Sequence, residues 1–175
     1  MTRATSPIRA PRILLALTLG AFLTLPAAAR TGTDLSTLLR ETRVHGLAFD
    51  PGSPDRLLIA THHGLHALNR ASLTTTPVGD SRNDFKGFTA HPAVPGPHYA
   101  SGLPQSGGNM GVIMSKDGGQ SWTALSDGMG GPVDFQVMEV SRANPDVLYG
   151  AHAGMLQTSR DAGRTWATVG PRLRA

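Results

Sequence analysis

The sequence contains no cysteine, and only nine of its 175 residues are aromatic. A chain without cysteine can form neither a disulfide nor a thiolate metal site, so its stability must come from a packed apolar core. Glutamate occurs only twice, which limits the candidates for acid–base catalysis. By contrast, the 21 glycines and 13 prolines are typical of a chain built from many short strands and turns.

Positive charge is scarce once residues 1–29 are set aside. That segment holds three of the 16 basic residues and none of the 12 acidic ones, which leaves 13 basic and 12 acidic residues and a net charge of +1. Proteins that bind nucleic acid or anionic membranes concentrate positive charge on one face. The composition therefore argues against both kinds of partner.

The first 29 residues have the pattern of a signal peptide. Three arginines precede an apolar run, Ile13 to Leu25, which is followed by Pro26 and three alanines. The run is too short for a comfortable transmembrane helix, and the small residues favour cleavage before Arg30. We therefore expect a secreted or periplasmic protein without a membrane span after cleavage; the alternative is an uncleaved membrane anchor.

Two nearly identical segments lie 44 residues apart: Ser115 to Trp122 (SKDGGQSW) and Ser159 to Trp166 (SRDAGRTW). A repeat of this length is one supersecondary unit of a propeller or solenoid. Within each segment the aspartate can accept backbone N–H groups, the glycine allows a left-handed turn, and the tryptophan can anchor the sheet. We expect a structural role for Ser115, Asp117, Gly119, Trp122, Ser159, Asp161, Gly163 and Trp166.

These residues resemble the Asp-box, or BNR, repeat of sialidase-like β-propellers. The resemblance implies that each box closes the hairpin between the two outer strands of a blade, away from any active centre. The chain is also similar, over about residues 44–170, to exported bacterial glycosyl-hydrolase-like proteins, and it is shorter than they usually are. The matching segments are HGLA at 45–48, THHGL at 61–65, DFKGF at 84–88, GGNMG at 107–111 and PVDF at 132–135.

Three repeats can be aligned within residues 44–175, beginning at His45, Lys86 and Val133. The first lacks a box, because Asn69 to Pro77 has neither the Asp-Gly turn nor the tryptophan. We expect residues 30–43 to form either the start of a short helix capped at Thr33 or Asp34, or an outer strand lent to another blade. The fold prediction is all-β: a partial β-propeller of about three four-stranded blades with Asp-box hairpins.

Three blades leave an apolar blade face open at each end. Such a face is larger than soluble monomers normally expose. We therefore expect the chain either to form a homo-oligomer, closing a six-bladed ring from two copies, or to be poorly soluble alone.

A complete catalytic set is missing from the sequence. The resemblance to sialidases implies an arginine triad and a Tyr–Glu pair, but the Arg-Ile-Pro signature of that family is absent from the mature chain. A general glycosidase needs two carboxylates around a sugar site. The weak candidates are Asp84 and Asp134, each preceding an innermost strand.

Polar residues recur at the heads of the innermost strands. His45, Lys86 and Gln136 occupy one aligned position, which indicates either a binding patch at a channel mouth or side chains that are polar only because water fills the channel. A second group surrounds the turn at His62 and His63, and neutral imidazoles there can bind Zn or Cu; the alternative is solvated turn histidines. The further members of this group are His66, His152 and His45.

The sequence thus predicts an exported binding or assembly module for a protein or glycan. The alternative is a glycoside hydrolase-like enzyme that uses Asp84 and Asp134. The sequence identifies neither a cofactor nor a bound metal.

Overall fold

The computed structural model describes residues 32–171, which form three antiparallel sheets and one short helix. The predicted signal peptide, with its cleavage point before Arg30, lies outside the described residues. Within the described part of the chain, no helix has the length and apolar character needed to cross a bilayer.

The strands follow one another around three blades, each built from consecutive strands. Blade 1 comprises β2 (Val44–Asp50), β3 (Ser53–Thr61), β4 (Gly64–Asn69) and β5 (Thr74–Val78), preceded by β1 (Thr33–Asp34) and α1 (Leu35–Glu41), with β1 pairing outside β5. Blade 2 comprises β6 (Asp84–Ala90), β7 (His98–Leu103), β8 (Val112–Ser115) and β9 (Thr123–Ser126). Blade 3 comprises β10 (Val137–Val140), β11 (Leu148–His152), β12 (Met155–Ser159) and β13 (Ala167–Thr168).

Alternate side chains of each strand point to opposite faces of its sheet. The blades stack face to face and bury apolar side chains between neighbouring sheets. Blade 1 contributes Leu58 and Leu65 to the core that it shares with blade 2, where Phe85 and Phe88 meet them. The opposite face of blade 2 packs on blade 3 in a second core. The members of this second core are Tyr99, Val112, Val133, Phe135, Met138, Val140 and Leu148. The middle blade is thus buried on both faces.

The two boxes close the hairpins between the outer strands of blades 2 and 3. In the first box, Ser115 Oγ donates to Asp117 Oδ1 over 2.8 Å and accepts from Gly119 N, while Asp117 accepts from the N–H of Ser121. Gly119 has a φ of +88°, the left-handed conformation expected there. Trp122 packs on Phe85 with ring centroids 5.0 Å apart. These contacts close the hairpin between β8 and β9; the structural role expected for the box residues stays a prediction.

The second box repeats these bonds. Ser159 Oγ donates to Asp161 Oδ1 over 2.7 Å and accepts from Gly163 N, and Asp161 accepts from the N–H of Thr165. Trp166 lies 4.8 Å from the ring of Phe135. Blade 1 has an ordinary hairpin at the equivalent place, where the Asn69 side chain accepts from two backbone N–H groups of the turn.

The N-terminal segment forms the short helix, and before it a two-residue outer strand that pairs with blade 1 and not with another blade. Asp34 ends the outer strand β1 and caps α1, because its Oδ1 accepts from Ser36 N over 2.8 Å. Leu38 of α1 is buried against Ile59 and Leu68 of blade 1. The helix therefore covers part of one end face of the stack.

The expectation of two fully open end faces is wrong for blade 1, because α1 takes the place of a preceding blade over part of that sheet. Apolar side chains remain exposed at the inner edge, with Leu47 60% and Phe49 66% exposed. The other end face, on blade 3, exposes Val137 and Tyr149. Closure of a ring by a second copy stays a prediction.

Candidate functional site

The heads of the three innermost strands lie side by side, because β6 contacts both β2 and β10. His45 lies in β2 and Lys86 in β6, as aligned. Gln136 lies one residue before β10, which begins later than predicted, at Val137. Asp84 lies in the chain between His45 and Lys86, and Asp134 lies between Lys86 and Gln136. Each aspartate links two neighbouring blades through its own set of partners.

The first carboxylate cluster comprises His45, His62 and Asp84. Asp84 opens β6 and is only 7% exposed, whereas the His62 side chain, in the β3–β4 turn, is 52% exposed. His62 Nδ1 is 2.9 Å from Asp84 Oδ2, and His45 Nε2 is 3.1 Å from Asp84 Oδ1. Asp84 thus joins the inner strand and the turn of blade 1 to the inner strand of blade 2.

The second carboxylate cluster comprises Lys86, Asp134, Gln136 and His152. Lys86 Nζ and Gln136 Nε2 both donate to Asp134 Oδ2 over 2.8 Å, and His152 Nδ1 lies 2.6 Å from Oδ1. Burial of Asp134 opposes its ionisation, but hydrogen bonding and charge attraction, first from Lys86 and then from His152, outweigh that cost. The pKa of Asp134 therefore lies below its ordinary value.

An open cleft of about 580 Å³ lies beside the first carboxylate cluster. His62, His63, Arg82 and Asp84 line one part of it, and the end of β7 with the loop that follows supplies the rest. Sequence reasoning missed the polar side chains of Arg82, Gln105 and Asn109 in this cleft, because they lie in irregular loops outside the aligned repeat positions. The only hint was the GGNMG segment at 107–111, to which no role was assigned.

The turn histidines do not all meet. His63 packs edge-on against His62, with ring centroids 5.0 Å apart, and lines the same cleft. His66 points instead from β4 toward the face of blade 1 that carries Ile59, its cross-strand partner. Burial, followed by repulsion from Arg82 and His63, lowers the pKa of His66. His152 lies in the second carboxylate cluster. The histidines that the sequence analysis grouped together therefore do not form one site.

No protein-family model and no curated protein matches the chain. Solved structures of GH74 enzymes have a similar fold, and these are β-propeller proteins. An ancestral GH74 enzyme superposes with a TM-score of 0.55 at 19% identity, covering 74% of this chain and 18% of that one. The GH74 xyloglucanase from Xanthomonas campestris gives 0.51 at 19% identity, over 72% of this chain and 20% of its own.

A third similar structure, the GH74 enzyme of Niastella koreensis, gives a TM-score of 0.50 at 18% identity, over 73% of this chain and 22% of that one. This chain thus spans about a fifth of the length of the enzymes it resembles. Likeness at such identity concerns the fold alone. Together with the three stacked sheets, it defines the described residues as a partial β-propeller.

Proposed function

We propose that the protein is an exported binding module that holds a protein or glycan ligand at the mouth formed by the heads of β2, β6 and β10. The observation that carries this proposal is the pair of aspartates that hold polar side chains of neighbouring blades in place. The side chains of Asp84 and Asp134 are only 8% and 15% exposed, yet their partners His62 and Lys86 keep solvent-accessible surface. Donors that are held in place before binding lose little conformational entropy when a ligand arrives.

The chemistry of the cleft favours an oxygen-rich ligand. Arg82 offers a guanidinium group, while Gln105 and Asn109 offer amides that can both donate and accept. Carboxylates and hydroxyl groups are the natural partners of such a set. Export is supported by the N-terminal pattern of arginines, apolar run and alanines.

The glycoside hydrolase-like alternative is less well supported. Glycoside hydrolysis needs one carboxyl group that still carries a proton to donate. Hydrogen bonds and charge attraction from Lys86 and His152 lower the pKa of Asp134 and favour its ionised form, which makes it a poor candidate for the acid. The similarity to GH74 enzymes supports a β-propeller fold for this chain and does not identify a reaction.

Lysine footprinting tests the binding surface directly, since the chain has only two lysines. Lys86 lies at the mouth, and Lys116 lies in the first box at the outer edge. We expect a bound ligand to slow acylation of Lys86 and to leave Lys116 unchanged. The probes are xyloglucan oligosaccharides, chosen from the fold likeness to a xyloglucanase, and secreted proteins of the source organism, with binding confirmed by calorimetry.

Two results would contradict the proposal. One is a calorimetrically bound ligand that leaves Lys86 fully reactive, or protects Lys116 instead. The other is release of reducing ends from xyloglucan that is abolished by Asp134→Asn, which would establish the hydrolase alternative.

A further inference from the structure

Two imidazole nitrogens and one carboxylate converge in the first carboxylate cluster. The donor atoms of His45, His62 and Asp84 all lie within 4.8 Å of one another. With metal–ligand bonds of about 2.0–2.2 Å, the ligand atoms of a tetrahedral zinc site stand roughly 3.3–3.6 Å apart. The nitrogen–oxygen separations of 3.1 and 2.9 Å are within a few tenths of an ångström of that arrangement.

Asp84 supplies a second, independent observation. Its Oδ1 is buried and accepts no hydrogen bond within the part of the chain that the structure describes, even though His45 Nε2 is 3.1 Å away. The imidazole is close to this oxygen but not aimed to donate to it. A buried acceptor without a hydrogen bond is costly because it has lost its contacts with water and gained no partner, and the cost is greater when the acceptor is charged. A cation between the ring and the carboxylate would remove that cost.

We propose that His45, His62 and Asp84 bind a divalent transition-metal ion, and that Zn²⁺ fits this donor set. Two imidazoles and one carboxylate match the ligands zinc takes in three-ligand sites, where a fourth position stays open. His62 and Asp84 also line the cleft of about 580 Å³, so the open position has room beside it for an oxygen-bearing ligand. The proposal does not depend on the ligand-binding role, since the ion is measured alone.

The second carboxylate cluster provides the natural contrast. Lys86 stands where His45 stands in the first cluster, and its ammonium group is 2.8 Å from Asp134 Oδ2. An ammonium group has no lone pair for a metal, and it already neutralises the carboxylate. We therefore expect zinc at the first cluster and none at the second.

The experiment is a calorimetric titration of the chain, prepared without a polyhistidine tag, with Zn²⁺. We expect one equivalent to bind. His62→Ala and Asp84→Asn should each weaken binding by more than about 100-fold, because loss of a ligand exceeds the 10–100-fold effect of an outer-shell change. His152→Ala is the matched control and should bind as tightly as the wild type.

His62→Ala keeps the test decisive if Asp84→Asn misfolds, because His62 lies in a turn with its side chain half exposed. Bound Co²⁺ should in addition give the intense visible absorption of a tetrahedral site, lost in His62→Ala. The proposal is overturned if the wild type binds no zinc. It is equally overturned if His62→Ala and His152→Ala reduce binding alike, which would indicate scattered surface histidines.

Discussion

The chain uses aspartate in two contrasting ways. At the outer edge, Asp117 and Asp161 bond to partners within four residues of sequence, and both bond to the serine two residues before and to the Ser or Thr four residues after. At the mouth, apart from the nearby Gln136, the partners of Asp84 and Asp134 lie 18 to 48 residues away, and the two sets of partners differ. The aspartate of the box turn therefore has similar local contacts in both repeats, whereas the aspartate at the mouth has different partners in each.

The two mouth carboxylates, Asp84 and Asp134, differ in which blade supplies the imidazole of His62 or His152. His62 comes from the turn of the preceding blade, whereas His152 comes from the same blade as its aspartate. The aligned position holds His45 in one cluster and Lys86 in the other. Asp84 is therefore paired with imidazoles, whereas Asp134 is also paired with an ammonium group.

Breaking a box should have the largest effect on stability. Trp166→Ala removes a half-buried ring packed on Phe135, so we expect the free energy of unfolding to fall by about 3 kcal/mol. The control Arg160→Ala changes an exposed residue of the same turn and should stay within about 0.5 kcal/mol of the wild type. Urea denaturation measures both, and equal losses would contradict the anchoring role.

Breaking the second carboxylate cluster should cost less. Asp134→Ala leaves the Lys86 ammonium group, 21% exposed, without its carboxylate. We expect a loss of about 2 kcal/mol, below the range for fully buried pairs because both groups keep some solvent. Adding Lys86→Met should recover part of it. Asp84→Ala should cost less than Asp134→Ala, since its imidazole partners can lose their charge; the reverse order would refute this difference.

The two box tryptophans provide a finer test. Trp166 Nε1 donates to Ser126 Oγ and to the Gly163 carbonyl, whereas Trp122 Nε1 is buried without a partner among the described residues. Both Trp→Phe variants lose similar ring volume, but only Trp166→Phe also loses hydrogen bonds. Trp166→Phe should therefore cost about 1 kcal/mol more than Trp122→Phe. Thermal unfolding of the matched pair checks this, and a larger loss at Trp122 would contradict it.

Acid should weaken the boxes gradually. Hydrogen bonds, first from Ser121 and then from Ser115, lower the pKa of Asp117 to about 2. Because this folded-state pKa is below the unfolded value, the contribution is complete above about pH 4 and is lost as the pH falls toward 2. Asp117→Asn should flatten the decline of the melting temperature between pH 4 and 2.5, whereas the isosteric control Asp55→Asn, outside any box, should leave it unchanged. Identical profiles for the two variants would contradict the assignment.

The same contrast explains what could be predicted from the sequence. Each box is complete within eight residues, so Asp117, Gly119 and Trp122 could be assigned their roles from spacing alone. The heads of β2, β6 and β10 could be aligned as a row for the same reason. Their partners could not be paired, because the distances among His62, Asp84 and Asp134 depend on how whole blades stack.

The position of α1 on blade 1 could not be predicted for a related reason. The sequence predicts a short helix as one of two alternatives, but the contact of this helix with Ile59 and Leu68 depends on tertiary packing and not on any local pattern. Arg82 and Asn109 of the cleft lie outside the strands, where the repeats differ in sequence.

If the residue at the aligned strand head decides which cation each mouth carboxylate takes, exchanging His45 and Lys86 should change the number of bound ions. Native mass spectrometry of the untagged chain with Zn²⁺ counts bound ions in the wild type, His45→Lys and Lys86→His. We expect one, none and two ions, because the exchange removes a ligand from Asp84 in one variant and adds one beside Asp134 and His152 in the other. One ion in all three proteins would contradict this expectation.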